Sequence, residues 1–260
     1  MIISVIMMTL NKSKYLPFAV ASVMEFEEVE LVLVSPSEGD ESRSYFKTFS
    51  ELYGDRIKFV LKPDYSPSEG LNNGLAATSG GIIGVLNGDD FYLPGALKFV
   101  LDTFTQNPSI DLFLGGGLVA DEETNQVKYV IPGNISKAVK FMNYPGASTF
   151  LHQSMFYKQA SFPHLRFNEE NRTNWDTEFL LEILKKSPKV FETQKTLSVF
   201  RLSAESITTN LNKDLKQEKS YGFKSFKQIV SQILRILKFL TLLKWVVVNQ
   251  SSRESYRKRK

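Results

Sequence analysis

The chain has 260 residues, of which 42% are hydrophobic and 23% charged, a composition that suits one sizeable globular domain with an appendage. It contains no cysteine, so disulfide bonds and thiolate metal sites are excluded, and a reducing, cytoplasmic setting is expected. The formal net charge is +4, and the excess lies near the C-terminus, where a basic tail favours an anionic membrane face over nucleic acid because no nucleic-acid-binding motif is present.

The N-terminal part of the chain alternates between apolar and helix-forming segments. Apolar runs at 2–7, 31–34 and 57–61 predict strands, and the first of them lacks the basic region and cleavage site of a signal peptide. Helices are predicted between the strands, over residues 13–24 with Ser13 as N-cap and over residues 42–53. This alternation indicates βαβ units and a parallel sheet.

Right-handed crossovers place the loops that follow parallel strands at one edge of the sheet. Four such loops are predicted to meet there and form a nucleotide cleft: 9–11, 35–40, 62–67 and 87–90. Ligands of open α/β sheets bind outside the carboxyl ends of the strands, so this edge is the expected functional face.

Residues 68–97 carry the strongest local pattern in the chain. A short helix over 69–78 is followed by Gly80 and Gly81, which we expect to end it with a positive φ angle. The apolar run at 82–86 then predicts a strand that is buried on both faces.

Two adjacent carboxylates, Asp89 and Asp90, stand at the carboxyl end of that strand, and Pro94 is expected to open the next helix. Carboxylates at such an edge repel each other unless a cation lies between them, and oxygen ligands suit Mg²⁺ or Mn²⁺. A solvated Asp-Asp turn is the simpler alternative, but the flanking pattern favours the metal site.

The remaining elements are predicted from shorter signals. Strands are expected at 111–117 and 126–131, and the glycines at 115–117 are interpreted as a strand end where backbones approach closely. A patterned helix runs from Asn174, its possible N-cap, to about Lys186, with Asp176 and Glu178 in its first turn. Complementing the helix dipole is the simpler role for these two carboxylates.

The order of elements around Asp89 resembles the inverting nucleotide-sugar glycosyltransferases of family 2, which have the GT-A fold. In that family a metal-binding Asp-x-Asp motif closes such a strand, after a segment like Asn-x-Gly-Leu-x-x-Ala-x-Gly. Five residues occupy matching positions: Asn72, Gly74, Leu75, Thr78 and Gly80. The resemblance extends over residues 1–206 and implies an α/β fold with a mostly parallel central sheet flanked by helices.

The resemblance also implies roles for individual residues. It assigns the metal to Asp89 and Asp90, the catalytic base to Asp176, and the acceptor contacts to His152, Gln153 and Trp175. It assigns donor binding to Thr9, Leu10, Asn11, Ser35, Asn72, Asn87, Asp89 and Arg201. A structural role for His152, as a cap on a backbone carbonyl, stays open beside the acceptor role.

Two residues depart from the family pattern. Ser35 stands where relatives have an aspartate that contacts the nucleobase, and Asp40 is the nearest carboxylate. Ser203 stands where many relatives have a histidine that binds metal or phosphate. These departures motivate the alternative that the chain is a catalytically impaired binding or scaffold protein.

Together these assignments predict an inverting glycosyltransferase that moves a sugar from a nucleotide-diphosphate donor to a hydroxyl of a glycan or polyprenyl-linked acceptor, with Mn²⁺ or Mg²⁺ as cofactor. Residues 1–210 form the predicted catalytic domain, with a nucleotide-binding half at 1–117 and an acceptor half at 118–210. A nucleotide-binding dehydrogenase is disfavoured because no Gly-x-Gly-x-x-Gly follows the first strand.

The last predicted element is a basic amphipathic helical tail over residues 211–260. Its apolar positions Phe226, Val230 and Ile233 share one helical face, and Trp245 would lie at headgroup depth in a membrane. Its longest apolar run is too short to span a bilayer. We expect peripheral attachment to the inner face of the plasma membrane, and the alternative is packing on the sheet or in a homo-oligomer.

Overall fold

A computed structural model describes residues 1–9, 14–37, 39–121, 126–131, 150–172 and 174–202. The described strands are β1 (Ile3–Met8), β2 (Val29–Val34), β3 (Ile57–Val60), β4 (Ile82–Asn87), β5 (Phe91–Tyr92), β6 (Leu112–Asp121), β7 (Val127–Ile131), β8 (Met155–Lys158) and β9 (Val190–Leu202). The described α-helices are α1 (Leu16–Met24), α2 (Phe46–Tyr53), α3 (Pro67–Ala77), α4 (Ala96–Gln106) and α5 (Trp175–Lys185).

Strands β3, β2, β1 and β4 form a parallel half-sheet whose carboxyl ends lie level. Met8 at the end of β1 pairs with Val34 of β2 on one side and with Asn87 of β4 on the other. Backbone hydrogen bonds continue past the strand ends, from Thr9 N to Val34 O (3.1 Å) and from Ser35 N to the last carbonyl of β3 (3.0 Å). The predicted meeting of the post-strand loops at one edge is therefore confirmed.

The other half of the sheet is mixed, with the order β3-β2-β1-β4-β8-β6-β9-β5 and β7 beside β6. Strands β8, β7 and β5 run antiparallel to their neighbours, so the predicted predominance of parallel pairs holds only for the N-terminal half. Ile82 pairs with Lys158 and Gly84 with Phe156. This direction brings the start of β8, and the turn before it, to the carboxyl end of β4.

The sheet is buried on both faces because helices cover both. Along β1, Ile3 and Val5 face one core while Ile6 faces the other, as the alternation of side chains in a strand requires. Helices α1, α2 and α4 cover the first core, and α3 and α5 cover the second. Fully burying one such aliphatic side chain contributes about 1.5–3 kcal/mol, so the two layers fix the strands that position the edge.

The expectation that Gly80 and Gly81 end α3 with a positive φ angle is wrong. The helix ends at Ala77, and its C-cap Thr78 is extended, with φ −72° and ψ 144°. Gly80 meets a steric requirement instead, because a Cβ atom there would lie 2.7 Å from Ile2 O and 2.9 Å from the backbone of β1. Close approach between the turn before β4 and the neighbouring strand β1 therefore explains this glycine.

Three other boundaries differ from the predictions. Helix α4 begins after Gly95, whose φ of 73° is left-handed, rather than at Pro94. Strand β6 continues through the glycines at 115–117, where a β-bulge shifts its register with β9, so they are not its end. Helix α1 begins at Leu16, and the predicted N-cap Ser13 lies outside the described residues.

The C-terminal predictions fall beyond the described part of the chain. Residues 203–260, which include the predicted amphipathic tail at 211–260, lie outside it, and the division into two functional halves stays a prediction. Among the residues that the structure does describe, no helix combines the length and the apolar character needed to cross a membrane.

A buried charge network joins β1, β2 and the turn before β4 at the end of the sheet opposite the level carboxyl edge. Glu30 accepts hydrogen bonds from the hydroxyls of Ser4 and Ser79, and from Gly80 N, and Lys58 Nζ lies 2.8 Å from its carboxylate. Burial alone would raise the pKa of Glu30, but these partners outweigh it and lower the pKa to about 2.

We expect Glu30→Gln to lower the free energy of unfolding by about 3 kcal/mol at neutral pH. A depressed carboxylate pKa stabilises the fold above the unfolded pKa near 4.5 and loses that effect as the pH falls toward 2. Urea unfolding at several pH values would show the two proteins converging over that window. The exposed pair Lys47–Glu51 supplies the control, since Glu51→Gln should change stability by less than about 0.5 kcal/mol, and a pH-independent difference for Glu30→Gln would contradict the assignment.

Candidate active site

The turn after β4 places two carboxylates at the level edge of the parallel half-sheet. Asp90 N donates to Asn87 O (3.0 Å), which closes a tight turn through Gly88. Asp89 keeps 7% of its surface accessible, whereas Asp90 keeps none. The two adjacent aspartates therefore differ in environment.

The Asp90 carboxylate is surrounded by three N–H donors. Its Oδ2 accepts from Gln153 Nε2 (2.6 Å) and Asn87 Nδ2 (3.1 Å), and its Oδ1 accepts from Arg201 N (2.8 Å). Complete burial and the neighbouring Asp89 charge raise the pKa of Asp90, and the hydrogen bonds from Gln153 and from Arg201 N–H oppose that rise. The carboxylate thus ties the β4 turn to β9 and to the turn before β8.

The turn before β8 carries His152 and Gln153. It is a short 3-10 helix over His152–Ser154, and the antiparallel direction of β8 brings it against the end of β4. Gln153 is fully buried and donates to Asp90, so its side chain does not face the acceptor region as predicted. Its contacts give it a structural role beneath the edge.

His152 lies between the β4 turn and the start of α5. Its Nε2 is 3.4 Å from Asn87 Nδ2, and its Nδ1 is 3.7 Å from Asp176 Oδ2. Its ring packs against Trp175 at a centroid distance of 4.8 Å. The structure therefore brings together four residues that the sequence placed in three different roles.

Asp176 occupies the first turn of α5, as predicted, and its side chain is 25% exposed. Its Oδ1 accepts from the backbone N–H of Thr177 (2.7 Å), which is one of the donors that a helix leaves unpaired at its N-terminus. The helix dipole favours the ionised carboxylate at this position. Asn174 precedes the helix, but its side chain makes no capping hydrogen bond.

The corner formed by β1 and β2 differs from the predicted donor contacts. Thr9 and Ser35 are both fully buried, and their hydroxyls donate to Asp40 Oδ2 at 3.0 and 2.8 Å. Asp40 also accepts from Ser42 N (3.0 Å) at the start of the 3-10 turn 41–45. These two predicted donor-binding side chains therefore form the floor of the edge and not its surface.

Arg43 is the polar residue at this corner that sequence reasoning missed. Its Nε donates to Ser35 Oγ (2.8 Å) and its Nη2 donates to Ser35 O (3.1 Å), so a guanidinium lies over the end of β2. The only signal in the sequence was an arginine eight residues after the unexpected Ser35. The contact between the two depends on the 3-10 turn that carries Arg43 back over β2.

Asn72, which is predicted to bind the sugar donor, forms hydrogen bonds to the segment that precedes α5. Its Nδ2 donates to Phe167 O (3.0 Å) and Glu169 Oε1 (2.8 Å), and its Oδ1 accepts from Phe167 N (2.9 Å). Glu178 of α5 accepts from Asn171 Nδ2 (2.6 Å) at the other side of that segment. These bonds hold the segment that leads into Asp176, and the donor-binding role of Asn72 stays a prediction.

Arg201 joins β9 to the β4 turn through its backbone. Its backbone N–H donates to Asp90, while its guanidinium lies 4.5 Å from the ring of Tyr15 and 5.0 Å from that of Phe91. Cation–π contacts of this kind hold the side chain between the residue before α1 and β5. Its donor-binding role stays a prediction, as do those of Leu10 and Asn11, which lie outside the described residues together with Ser203.

The loop after β3 adds another titratable group to this edge. Asp64 packs against Gly70 of α3, where a Cβ atom would lie 2.5 Å from Asp64 Oδ2. Burial and, to a smaller extent, the charge of Glu69 raise the pKa of Asp64 to about 6. No motif or spacing in the sequence distinguishes this residue from other loop carboxylates.

The carboxylates at this edge supply only some of the ligands that a divalent cation needs. Across the described ranges, no group of three or more His, Asp and Glu side chains is arranged to hold a metal ion. Mg²⁺ is commonly held by one or two carboxylates together with substrate phosphates, so a site built on Asp89 fits that pattern. Asp90, whose oxygens accept three hydrogen bonds, supports such a site from beneath, and its role as a direct ligand stays a prediction.

The parallel half-sheet, its mixed extension and the carboxylates at their shared edge define a GT-A-type α/β protein. The chain matches the family "Glycosyl transferase family 2" over residues 4–166, and it belongs to that family. The predicted family and fold class are therefore confirmed.

Two curated relatives illustrate the similarity. The chain is 24% identical over 242 residues to the Campylobacter jejuni GalNAc(5)-diNAcBac-PP-undecaprenol beta-1,3-glucosyltransferase, covering 91% of this chain and 76% of that protein. It is 23% identical over 198 residues to an uncharacterised glycosyltransferase of Rickettsia conorii, covering 74% of this chain. The chain spans about a third (32%) of the length of the Rickettsia protein.

Solved structures share the fold at lower identity. Residues 1–349 of S. aureus TarS match with a TM-score of 0.59 and 17% identity, covering 77% of this chain and 60% of that one. The mannosyltransferase PcManGT from Pyrobaculum calidifontis, solved with GDP-Man and Mn²⁺, matches with a TM-score of 0.58 and 12% identity, covering 88% and 68%.

Proposed function

We propose that this family 2 member is an inverting glycosyltransferase that transfers a sugar from a nucleotide-diphosphate donor to an acceptor hydroxyl. One observation carries the proposal. The contacts from Asp176 through His152 to Asn87 bring a partly exposed carboxylate to the turn that holds Asp89. A base can take the proton of the attacking hydroxyl and a cation can stabilise the leaving group in a single displacement at an anomeric carbon, and this edge offers residues for both.

The diphosphate of the donor belongs beside Asp89, and its nucleoside then extends over β1 and β2, away from Asp176. When bound there, Mn²⁺ or Mg²⁺ would neutralise charge on the diphosphate leaving group. The presence of Mn²⁺ and GDP-Man in the related mannosyltransferase structure supports this arrangement. The sugar would lie between Asp89 and Trp175, with the acceptor on the far side.

Asp176 acts as the general base in this proposal. Its carboxylate takes the proton of the acceptor hydroxyl as that oxygen forms a bond to the anomeric carbon. The bond from this carbon to the diphosphate oxygen breaks, and its electron pair leaves with the nucleoside diphosphate. Attack from the face opposite the leaving group inverts the anomeric centre.

The acceptor class follows from the relatives rather than from the site. The Campylobacter relative is named for an undecaprenyl-diphosphate-linked glycan, which supports a glycan or polyprenyl-linked acceptor here. Such an acceptor would lie at the cytoplasmic membrane face, where the basic tail at 211–260 is predicted to bind. Attachment through the tail, or a homo-oligomer formed by it, stays a prediction because the tail lies outside the described residues.

Nucleotide release from a panel of UDP-, GDP- and dTDP-sugars tests the proposal. We expect release from at least one donor with Mn²⁺, little release with EDTA, and faster release when a polyprenyl-linked glycan is added. The anomeric configuration of the product, measured by NMR, should be opposite to that of the donor. Nucleotide binding without turnover of any donor would favour a scaffold protein, and a retained configuration would rule out the single displacement.

A further inference from the structure

The ring of His152 is contacted by three side chains, those of Asn87, Asp176 and Trp175. Its side chain is 11% exposed, and its ring is packed against the indole of Trp175. Its Nε2 faces the amide nitrogen of Asn87, and its Nδ1 faces the carboxylate of Asp176. The two ring nitrogens therefore meet a donor on one side and an acceptor on the other.

The orientation of the Asn87 amide follows from Asp90. The Oδ2 atom of Asp90 accepts from Asn87 Nδ2 (3.1 Å) and from Gln153 Nε2 (2.6 Å). A flipped Asn87 would set its carbonyl oxygen against this carboxylate oxygen, so the amide nitrogen must face Asp90. Its second hydrogen is then available to the Nε2 of His152, 3.4 Å away.

This geometry determines which nitrogen of His152 carries the proton. An Nε2–H would oppose the N–H of Asn87, whereas an unprotonated Nε2 can accept from it. The neutral ring therefore carries its hydrogen on Nδ1, where it faces Asp176 Oδ2 at 3.7 Å. Catalytic hydrogen bonds are often this long before substrate binds and shorten in the complex.

We propose that His152 is a positioning residue for Asp176, held by Asn87 as the Nδ1–H tautomer so that it donates to Asp176 Oδ2. The proposal rests on the function proposed above, in which Asp176 is the base. Thr177 N–H already holds the other carboxylate oxygen, Oδ1 (2.7 Å). A donor on each oxygen fixes the plane of the carboxylate and leaves its remaining lone pairs for the acceptor hydroxyl.

The arrangement also joins the two halves of the site. Arg201 N–H, Asp90, Asn87, His152 and Asp176 form one continuous series of contacts from β9 to α5. Asn87 and His152 lie in the middle of this series. The family resemblance assigned Asn87 to binding of the sugar donor and His152 to contact with the acceptor substrate. The orientation of the Asp176 carboxylate therefore depends on the same turn that carries Asp89.

The tautomer can be measured directly because the chain has only two histidines, His152 and His164. We would record ¹⁵N–¹H correlation spectra of histidine-labelled full-length protein as a pH series up to about 8. His164 is exposed, so His164→Gln assigns the signals without touching the site. We expect a protonated Nδ1 and an unprotonated Nε2 for His152. An Nε2–H tautomer, or a ring protonated on both nitrogens at every pH of the series, would overturn the inference.

Kinetics test the positioning role. His152→Phe should lower kcat about 10- to 100-fold, the range for losing a partner that orients a functional ligand, while nucleotide Kd stays within about twofold. In His152→Asn the amide nitrogen reaches the position of Nδ1, so this variant should recover most of the loss, whereas His152→Gln, whose nitrogen reaches only Nε2, should not. Equal kcat in all three variants and in the wild type would overturn the role.

The two proposals fail in distinguishable ways. If the wild-type protein turns over a donor but shows the Nε2–H tautomer, the positioning inference alone is wrong. If it turns over no donor, the proposed function is wrong, and the catalytic meaning of His152 falls with it whatever the tautomer.

Discussion

Asp176→Asn is expected to lower kcat by about 10²–10⁴-fold, the usual effect of losing a general base. Asparagine has almost the same shape, and its oxygen can still accept from Thr177 N–H, but its amide nitrogen then stands where Oδ2 faces His152, and it cannot take a proton from the acceptor hydroxyl. Nucleotide affinity should stay close to that of the wild type because Asp176 lies on α5 and not on the loops that follow β1 to β4. Single-turnover rates and calorimetric titration of the nucleoside diphosphate would measure the two quantities separately.

Glu178→Gln is the matched control for this prediction. Glu178 lies in the same turn of α5, but its carboxylate accepts from Asn168 and Asn171, which gives it a structural role in the segment before the helix. We expect this variant to keep most of its activity and to lose some thermal stability. If Asp176→Asn stayed active and Glu178→Gln did not, the base would have to be reassigned to Glu178.

The parts of this protein that could be predicted from sequence depend on local patterns. The apolar runs of β1, β2, β3 and β4 identify strands because each is short, buried and bounded by turn residues. Parallel pairing then places the following loops at one edge by a general rule of chain handedness. The start of α5 beside Asp176 is likewise marked by a periodic apolar pattern.

The parts that could not be predicted depend on contacts between residues far apart in the chain. His152 and Gln153 reach Asn87 and Asp90 because β8 inserts antiparallel beside β4, and no local pattern specifies that neighbour. Asn72 meets Phe167 across 95 residues, a contact that its position in the family pattern did not indicate. The roles of side chains at this edge depend on the order and direction of the strands. Matching single residues to a family pattern does not provide that information.

The second large effect is expected at the turn after β4, where Asp89→Ala and Asp90→Ala should fail for different reasons. Asp89→Ala removes the more accessible of the two carboxylates, so Mn²⁺ affinity in the presence of nucleotide should fall on the order of 100-fold or more. Calorimetric titration of UDP or GDP with Mn²⁺ and with EDTA would show that the variant binds nucleotide alike in both conditions.

Asp90→Ala should act mainly on stability. It leaves the N–H groups of Asn87, Gln153 and Arg201 without an acceptor in a site closed to water, a loss on the order of 3 kcal/mol in the free energy of unfolding. Because Asn87 would no longer be held, the His152 tautomer should also change in this variant, which the ¹⁵N spectra would detect. A fully stable Asp90→Ala protein that loses only its cation dependence would support Asp90 as a direct metal ligand. The same result would contradict the inference that Asp90 orients Asn87 and, through it, His152 and Asp176.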